Sequence, residues 1–261
     1  MLWIIFFDIC KGFFTSLRFD KVIFIAMKND KLSKLYMKII KYNFILFCVP
    51  WIINKIMCKI FNLLVFYPIS ILYWPISIFS IFFHAIHYID LINIAAKYNV
   101  KHVDNNDVVS VISQSIIMTL YQVVIYLTIN AINFFIGSSI GLLSLLISFF
   151  ILTIYHSFYA YNNLWQSIKI DMAQRIDMHE KLWPYYIGYG IVPSLIYYYT
   201  SGTYNVGFYN IYMIVILAMP FFIEPTYPRK IMHYPSINLK VFSFFVKMLF
   251  IASKYLTKKI V

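Results

Sequence analysis

Residues 155–193 read YHSFYAYNNLWQSIKIDMAQRIDMHEKLWPYYIGYGIVP, and the organisation of the whole chain turns on this stretch. It begins among aromatics, with no Lys, Arg, Asp or Glu before Lys169. Charges then arrive together: Lys169, Asp171, Arg175, Asp177, Glu180 and Lys181. Trp183-Pro184-Tyr185-Tyr186 follows and leads back into apolar sequence. Trp and Tyr favour the membrane–water interface, and proline suits a first helical turn. The stretch reads as a membrane helix leaving the bilayer, a polar connector, and a second membrane segment re-entering at Trp183-Pro184.

Within the connector, Asp171 precedes Arg175 and Asp177 precedes Lys181 by four positions each. Acid-first pairs at that spacing support a helix, so the connector is expected to be a solvated helix held by ion pairs. His179 stands alone, and no nucleophile is paired with a base, so no catalytic residues are expected. Gly188, Gly190 and Pro193 predict a flexible or broken segment. Such glycines serve one of two ends: exposing backbone N–H groups to an anion, or letting two helices approach closely. Close approach is the preferred reading.

Composition agrees with a membrane setting. Of 261 residues, 62% are hydrophobic and only 12% charged, half the charge of an ordinary soluble domain, which is about 25%. The net charge of +12 falls in segments that flank apolar runs, which points to topology and anionic headgroups rather than nucleic acid. Cys10, Cys48 and Cys58 have neither a zinc spacing nor a disulfide framework. No metal or cofactor is expected.

Further from the opening stretch, Met1–Cys10 is too short to span and reads as an interfacial anchor. Residues 11–41 carry Lys11, Arg18, Lys21, Lys28, Lys31, Lys34, Lys38 and Lys41 among apolar residues at helical spacings, including Val22, Leu32, Leu35 and Ile39. Residues 1–41 are therefore expected to form a basic amphipathic segment on a membrane surface, cytoplasmic by its charge. Residues 42–236 are expected to form the helical transmembrane domain. Within it, 42–89 contains Pro50, Pro68 and Pro75, and holds either two spans or one span and a hairpin. His84, His87 and Asp90 share one helical face, where metal or proton work competes with a plain interfacial role. Val108–Ile136 and Ile140–Tyr161 are the cleanest spans, joined by Gly137-Ser138-Ser139. Residues 237–261, with Lys240, Lys247, Lys254 and Lys258 on one stripe, read as a basic amphipathic surface helix. The expected fold class is all-α: a polytopic helical membrane protein of about four to six membrane segments, some proline-broken or hairpin-like, with basic amphipathic helices at both ends.

Tyr155, Ser157, Phe158, Tyr159 and Trp165, then Arg175, Glu180, Trp183-Pro184-Tyr185-Tyr186, Gly188 and Gly190, with Pro220 beyond, resemble the etoposide-induced 2.4 family of eukaryotic membrane proteins. That family is itself distantly similar to the bacterial sulfate permease CysZ. Weaker similarity extends over Trp74–Lys97, Lys11-Gly12-Phe13 and the basic terminal helix, so most of the chain is covered. Pro193 lies one position later than the family's proline, and the long polar termini of animal members are not matched. The resemblance implies an endoplasmic reticulum membrane protein linked to autophagy, without enzymatic activity, whose helices combine full spans with partly penetrating hairpins. It implies no catalytic residues. Anion transport is the alternative that the bacterial similarity suggests. The partners expected are the bilayer with its anionic headgroups, with a second copy of the chain and autophagy-related membrane proteins as further candidates.

Overall fold

The computed structural model describes residues 2–61, 140–168, 170–200 and 206–223, with 87, 90, 91, 93–95, 97, 127–132, 134, 135 and 240. The described residues are helical apart from short connections, and no strand occurs among them. Residues 62–86, most of 108–136 and nearly all of 237–261 lie outside this set, and with them the expected hairpin, one expected span and the expected terminal helix.

The expected basic segment is divided. Helix α1 runs Leu2–Ser16, α2 Phe19–Lys28 and α3 Asp30–Asn43. The side chain of Asn29 caps α3 by accepting from the Leu32 N–H at 3.1 Å, satisfying a donor with no partner inside the helix. Val22, Leu32, Leu35 and Ile39 are buried, as their spacing predicts, whereas Leu17 and Phe24 are exposed. The helical path then continues through Lys41–Tyr42 without a break. A π turn at Phe44–Cys48 joins α3 to α4, Val49–Ile60. Proline cannot donate its i→i−4 bond and crowds the carbonyl there. Pro50 is accommodated by this wider turn directly before it, in which the Val49 N–H reaches back to the Phe44 carbonyl. The expected proline distortion is thus present as a π turn, not as a break.

Beyond it come α5 at Gly141–Ser167, α6 at Met172–Lys181, α7 at Trp183–Thr200 and α8 at Val206–Ile223. Asp30–Ile60 and Gly141–Ser167, of 31 and 27 residues, are long and apolar enough to cross a membrane. At 1.5 Å per residue the shorter is roughly 40 Å long, against a hydrocarbon core of about 30 Å. Along α5 the environment changes. Leu142, Leu143, Leu145 and Leu146 are exposed, whereas Leu152, Ile154, Phe158, Tyr161 and Trp165 are buried.

The chain divides into two compact units. One is formed by Met1–Thr15, Ile116–Ile191 and Thr226–Val261, the other by Ser16–Ser115 and Val192–Pro225. In the second, α8 packs on α2, α3 and the π turn. Its core holds Val22, Leu32, Ile39, Phe47, Ile214, Leu217 and Phe221. Phe19 meets Tyr212 edge to face at 5.5 Å.

The first unit is assembled around glycine. A Cβ on Gly12 of α1 would strike the Tyr185 carbonyl and the Tyr189 amide of α7. One on Gly188 of α7 would strike the Ile9 carbonyl of α1, and one on Gly190 the Thr153 carbonyl of α5. Three helices therefore meet backbone to backbone, the approach that small residues permit. The glycine pair and Pro193 do not break the segment: α7 is one 18-residue helix with Pro193 inside it. Pro184 stands in its first turn, as expected.

Alanine is normally the better helix residue by about 1 kcal/mol. Gly188→Ala and Gly190→Ala should nevertheless lower the thermal unfolding midpoint in detergent, at a cost of about 1–3 kcal/mol or more from overpacking. Gly141→Ala, with nothing within 4 Å of the added Cβ, should leave it unchanged or raise it slightly.

Candidate functional site: the polar corner between α5, α6 and α7

The motif residues from Tyr155 to Gly190 lie where α5 ends, α6 turns and α7 begins, within the first unit up to Ile191, whereas Pro193 and Pro220 belong to the second. The connector is not the solvated helix that its charge spacing predicts. Arg175, His179 and Glu180 are buried at 4%, 1% and 6% exposure. The expected Asp177–Lys181 ion pair forms at 2.6 Å on the outer face, where such a pair contributes little. Asp171 acts as N-cap of α6, accepting from the Ala173 N–H at 3.1 Å.

Arg175 ties the connector to α5. Its Nη1 donates to Asn162 Oδ1 at 3.0 Å and its Nε to the Ile170 carbonyl at 2.7 Å. Burial lowers its pKa from the ordinary value, and the Asp171 charge opposes that shift. A buried guanidinium is tolerable only where hydrogen bonds meet its donors, and these partners take two of its five N–H groups.

His179 is held more closely still. Its ring stacks on Tyr186 at 4.4 Å and 16°, and meets the faces or edges of Phe158 at 5.4 Å and Trp165 at 6.3 Å. Its Nε2 lies 2.9 Å from Ser157 Oγ, which is also 2.9 Å from the Ile154 carbonyl. A hydroxyl has one proton. If it goes to Ile154, Nε2 donates to Oγ; if it goes to Nε2, that nitrogen accepts. Burial pushes the imidazole down to about 3, so it is neutral near pH 7 in either arrangement.

Around this pair, Tyr161 and Tyr185 share a hydrogen bond of 2.8 Å between their hydroxyls. Tyr161 also sets its edge against Tyr186 and Tyr189, each at 5.1 Å, and Trp165 against Tyr186 at 5.7 Å. Aromatic pairs of this kind contribute about 0.5–1.5 kcal/mol each beyond area burial. Tyr155 stacks on Tyr159 at 5.9 Å further up α5. Trp183 is half-buried and Pro184 buried, while Gly188 and Gly190 are committed to helix contact. Pro193 is buried in the part of α7 that belongs to the second unit.

Ser157 beside His179 has the pairing a nucleophile and base would need, and the chain's spacing did not reveal it. Ser157, Tyr161 and Trp165 recur every fourth residue of α5, a stripe that shows which face is covered but not by what. Both members of the pair are enclosed, at 0% and 1% exposure, so a substrate carbonyl has no approach to Oγ. As arranged, the pair fastens α6 to α5. Of His84, His87 and Asp90, the first lies outside the described residues, His87 is buried and Asp90 exposed. Among the described residues no three side chains could share a metal ion.

No family model matches the sequence, and no solved structure matches it. An uncharacterized protein of Acanthamoeba polyphaga mimivirus is 40% identical over 239 residues, which cover 92% of this chain and 91% of that protein. The chain belongs to the family of that mimivirus protein. The match runs over nearly the full length of both, so the two share one architecture rather than one segment.

The pH dependence of stability follows from His179. Its native pKa lies below the unfolded value of about 6.5, so the unfolded chain takes up the additional proton first as pH falls. The stabilisation is complete above that value and is lost from there down towards pH 3. Wild type should therefore lose about 1.4 kcal/mol per pH unit over this window relative to His179→Phe. Phenylalanine keeps the stack and leaves Ser157 bonded to Ile154. Unfolding midpoints of both proteins between pH 7.5 and 4.5 measure the difference.

Proposed function

We propose that this chain is a multi-pass helical protein of the endoplasmic reticulum membrane that organises membrane in autophagy-related processes rather than catalysing a reaction. One observation carries the membrane part. The helix Asp30–Ile60 is apolar through its middle, yet only 18% of its most apolar window is buried within the protein. Phe44, Ile45, Ile52, Ile53 and Ile56 face outward along it. A contiguous apolar surface of this length needs lipid or protein to cover it, and Lys31, Lys34, Lys38 at one end with Lys55 and Lys59 at the other suit the two interfaces. The exposed leucines at the start of α5 support the same reading. The compartment and the link to autophagy rest on the resemblance of the α5–α7 motif to the etoposide-induced 2.4 family.

The anion-transport alternative drew on an anion meeting the backbone at Gly188 and Gly190. Those positions face the backbones of Ile9 and Thr153, so this alternative keeps only its family similarity as support.

With Cys10, Cys48 and Cys58 replaced by serine, single cysteines at Lys31, Ile52 and Lys59 test the topology. An impermeant maleimide applied to sealed microsomes should label Lys31→Cys. It should reach Lys59→Cys only after the vesicles are opened, and should leave Ile52→Cys unlabelled in both. Full labelling at all three positions would sink the membrane reading. In liposomes, the purified protein should pass no more sulfate or chloride than empty vesicles, and flux above that level would favour the alternative.

A further inference from the structure

In the second unit a cleft of about 350 Å³ opens between α3 and the helical residues Asp90, Asn93 and Ile94. One wall is basic: Lys31, Lys34 and Lys38 recur at spacings of three and four and so share a face of α3. The other side offers the amide of Asn93 and the carboxylate of Asp90, and Leu35 of α3 and Ile94 complete the lining. We propose that this cleft binds a phosphate group, with the phosphate headgroup of an anionic lipid as its source; this rests on the membrane reading above.

Three observations carry the assignment. Lys31, Lys34 and Lys38 all line the cleft within roughly 10 Å along the helix, which places three positive charges beside a volume that suits one compact polyanion. Lysine acts on phosphate as a point charge, and Asn93 adds an amide N–H donor. Lys34 is paired with Asp30 at 2.6 Å, but both side chains are more than three-quarters exposed. Such a pair is weak and exchanges readily for a better anion. Finally, the three lysines precede the apolar part of Asp30–Ile60, which sets them at headgroup depth when that helix crosses a bilayer. Asp90 opposes the anion, so its removal should strengthen binding.

The test titrates the full chain, purified in neutral detergent, with dioctanoyl phosphatidic acid, dioctanoyl phosphatidylcholine and inorganic phosphate, followed by native mass spectrometry. Saturable binding of phosphatidic acid over phosphatidylcholine is expected. Lys31→Gln with Lys38→Gln should weaken it roughly tenfold or more, and Asp90→Asn should tighten it. Lys55→Gln with Lys59→Gln removes equal charge some 25 Å along the same helix, beyond the screening length, and should change it by less than about twofold. Inorganic phosphate that competes at equal concentration would keep the site and make free phosphate its source. Failure to compete identifies the lipid headgroup. Equal losses in the two lysine pairs, or no loss in either, would overturn the site, as would a weaker Asp90→Asn. Micellar binding does not depend on insertion, so failure here and failure of the cysteine-labelling test remain separate results.

Discussion

Three glycines hold the first unit together by what they lack. At Gly12, Gly188 and Gly190 a single added carbon would enter the backbone of a neighbouring helix. Contacts this close leave no room for side-chain adjustment, because the colliding atoms are carbonyls fixed in helical hydrogen bonding. These contacts therefore set how closely α7 approaches α1 and α5. That approach in turn brings Tyr185, Tyr186 and Tyr189 against Tyr161 and Trp165. The aromatic corner follows from the glycine contact rather than the reverse, since rings have rotamers to choose among and the backbone has none.

Once the corner is closed, the buried polar groups of α6, Arg175, His179 and Glu180, are cut off from water and must be satisfied by protein. Arg175 reaches Asn162 and Ile170, Ser157 meets both Ile154 and His179, and the two tyrosine hydroxyls meet each other. A neutral imidazole is the form of His179 compatible with this enclosure. Such networks stabilise little in net terms but are costly to leave incomplete. They act as registration devices: α6 can sit against α5 in one arrangement only.

The second unit solves a different problem. Its long helix must carry charge at both ends, apolar residues in the middle and a proline within. The π turn before Pro50 absorbs the missing hydrogen bond without breaking the helix, so basic and apolar portions remain on one continuous element. Burial of Leu32, Leu35 and Ile39 leaves the lysines of α3 on an accessible face. The cleft lies between these lysines and Asp90, Asn93 and Ile94.

Helical character, the positions of the long apolar stretches and the aromatic edges around the connector were legible in the chain, because period and hydropathy are local properties. So was the value of Gly188 and Gly190 for close packing, though not their partners, Ile9 and Thr153, which lie far away in sequence. The burial of Arg175, His179 and Glu180 was not legible. Acid and base four apart satisfy a surface helix and a buried one equally well, and only the arrival of α5 and α7 decides which is present. The pairing of Ser157 with His179, 22 positions apart, was hidden for the same reason. The sequence by itself determined an all-helical chain with segments apolar enough for a bilayer. Tertiary structure decided which polar residues are taken out of water, because desolvation depends on what packs over a residue and not on its neighbours in the chain.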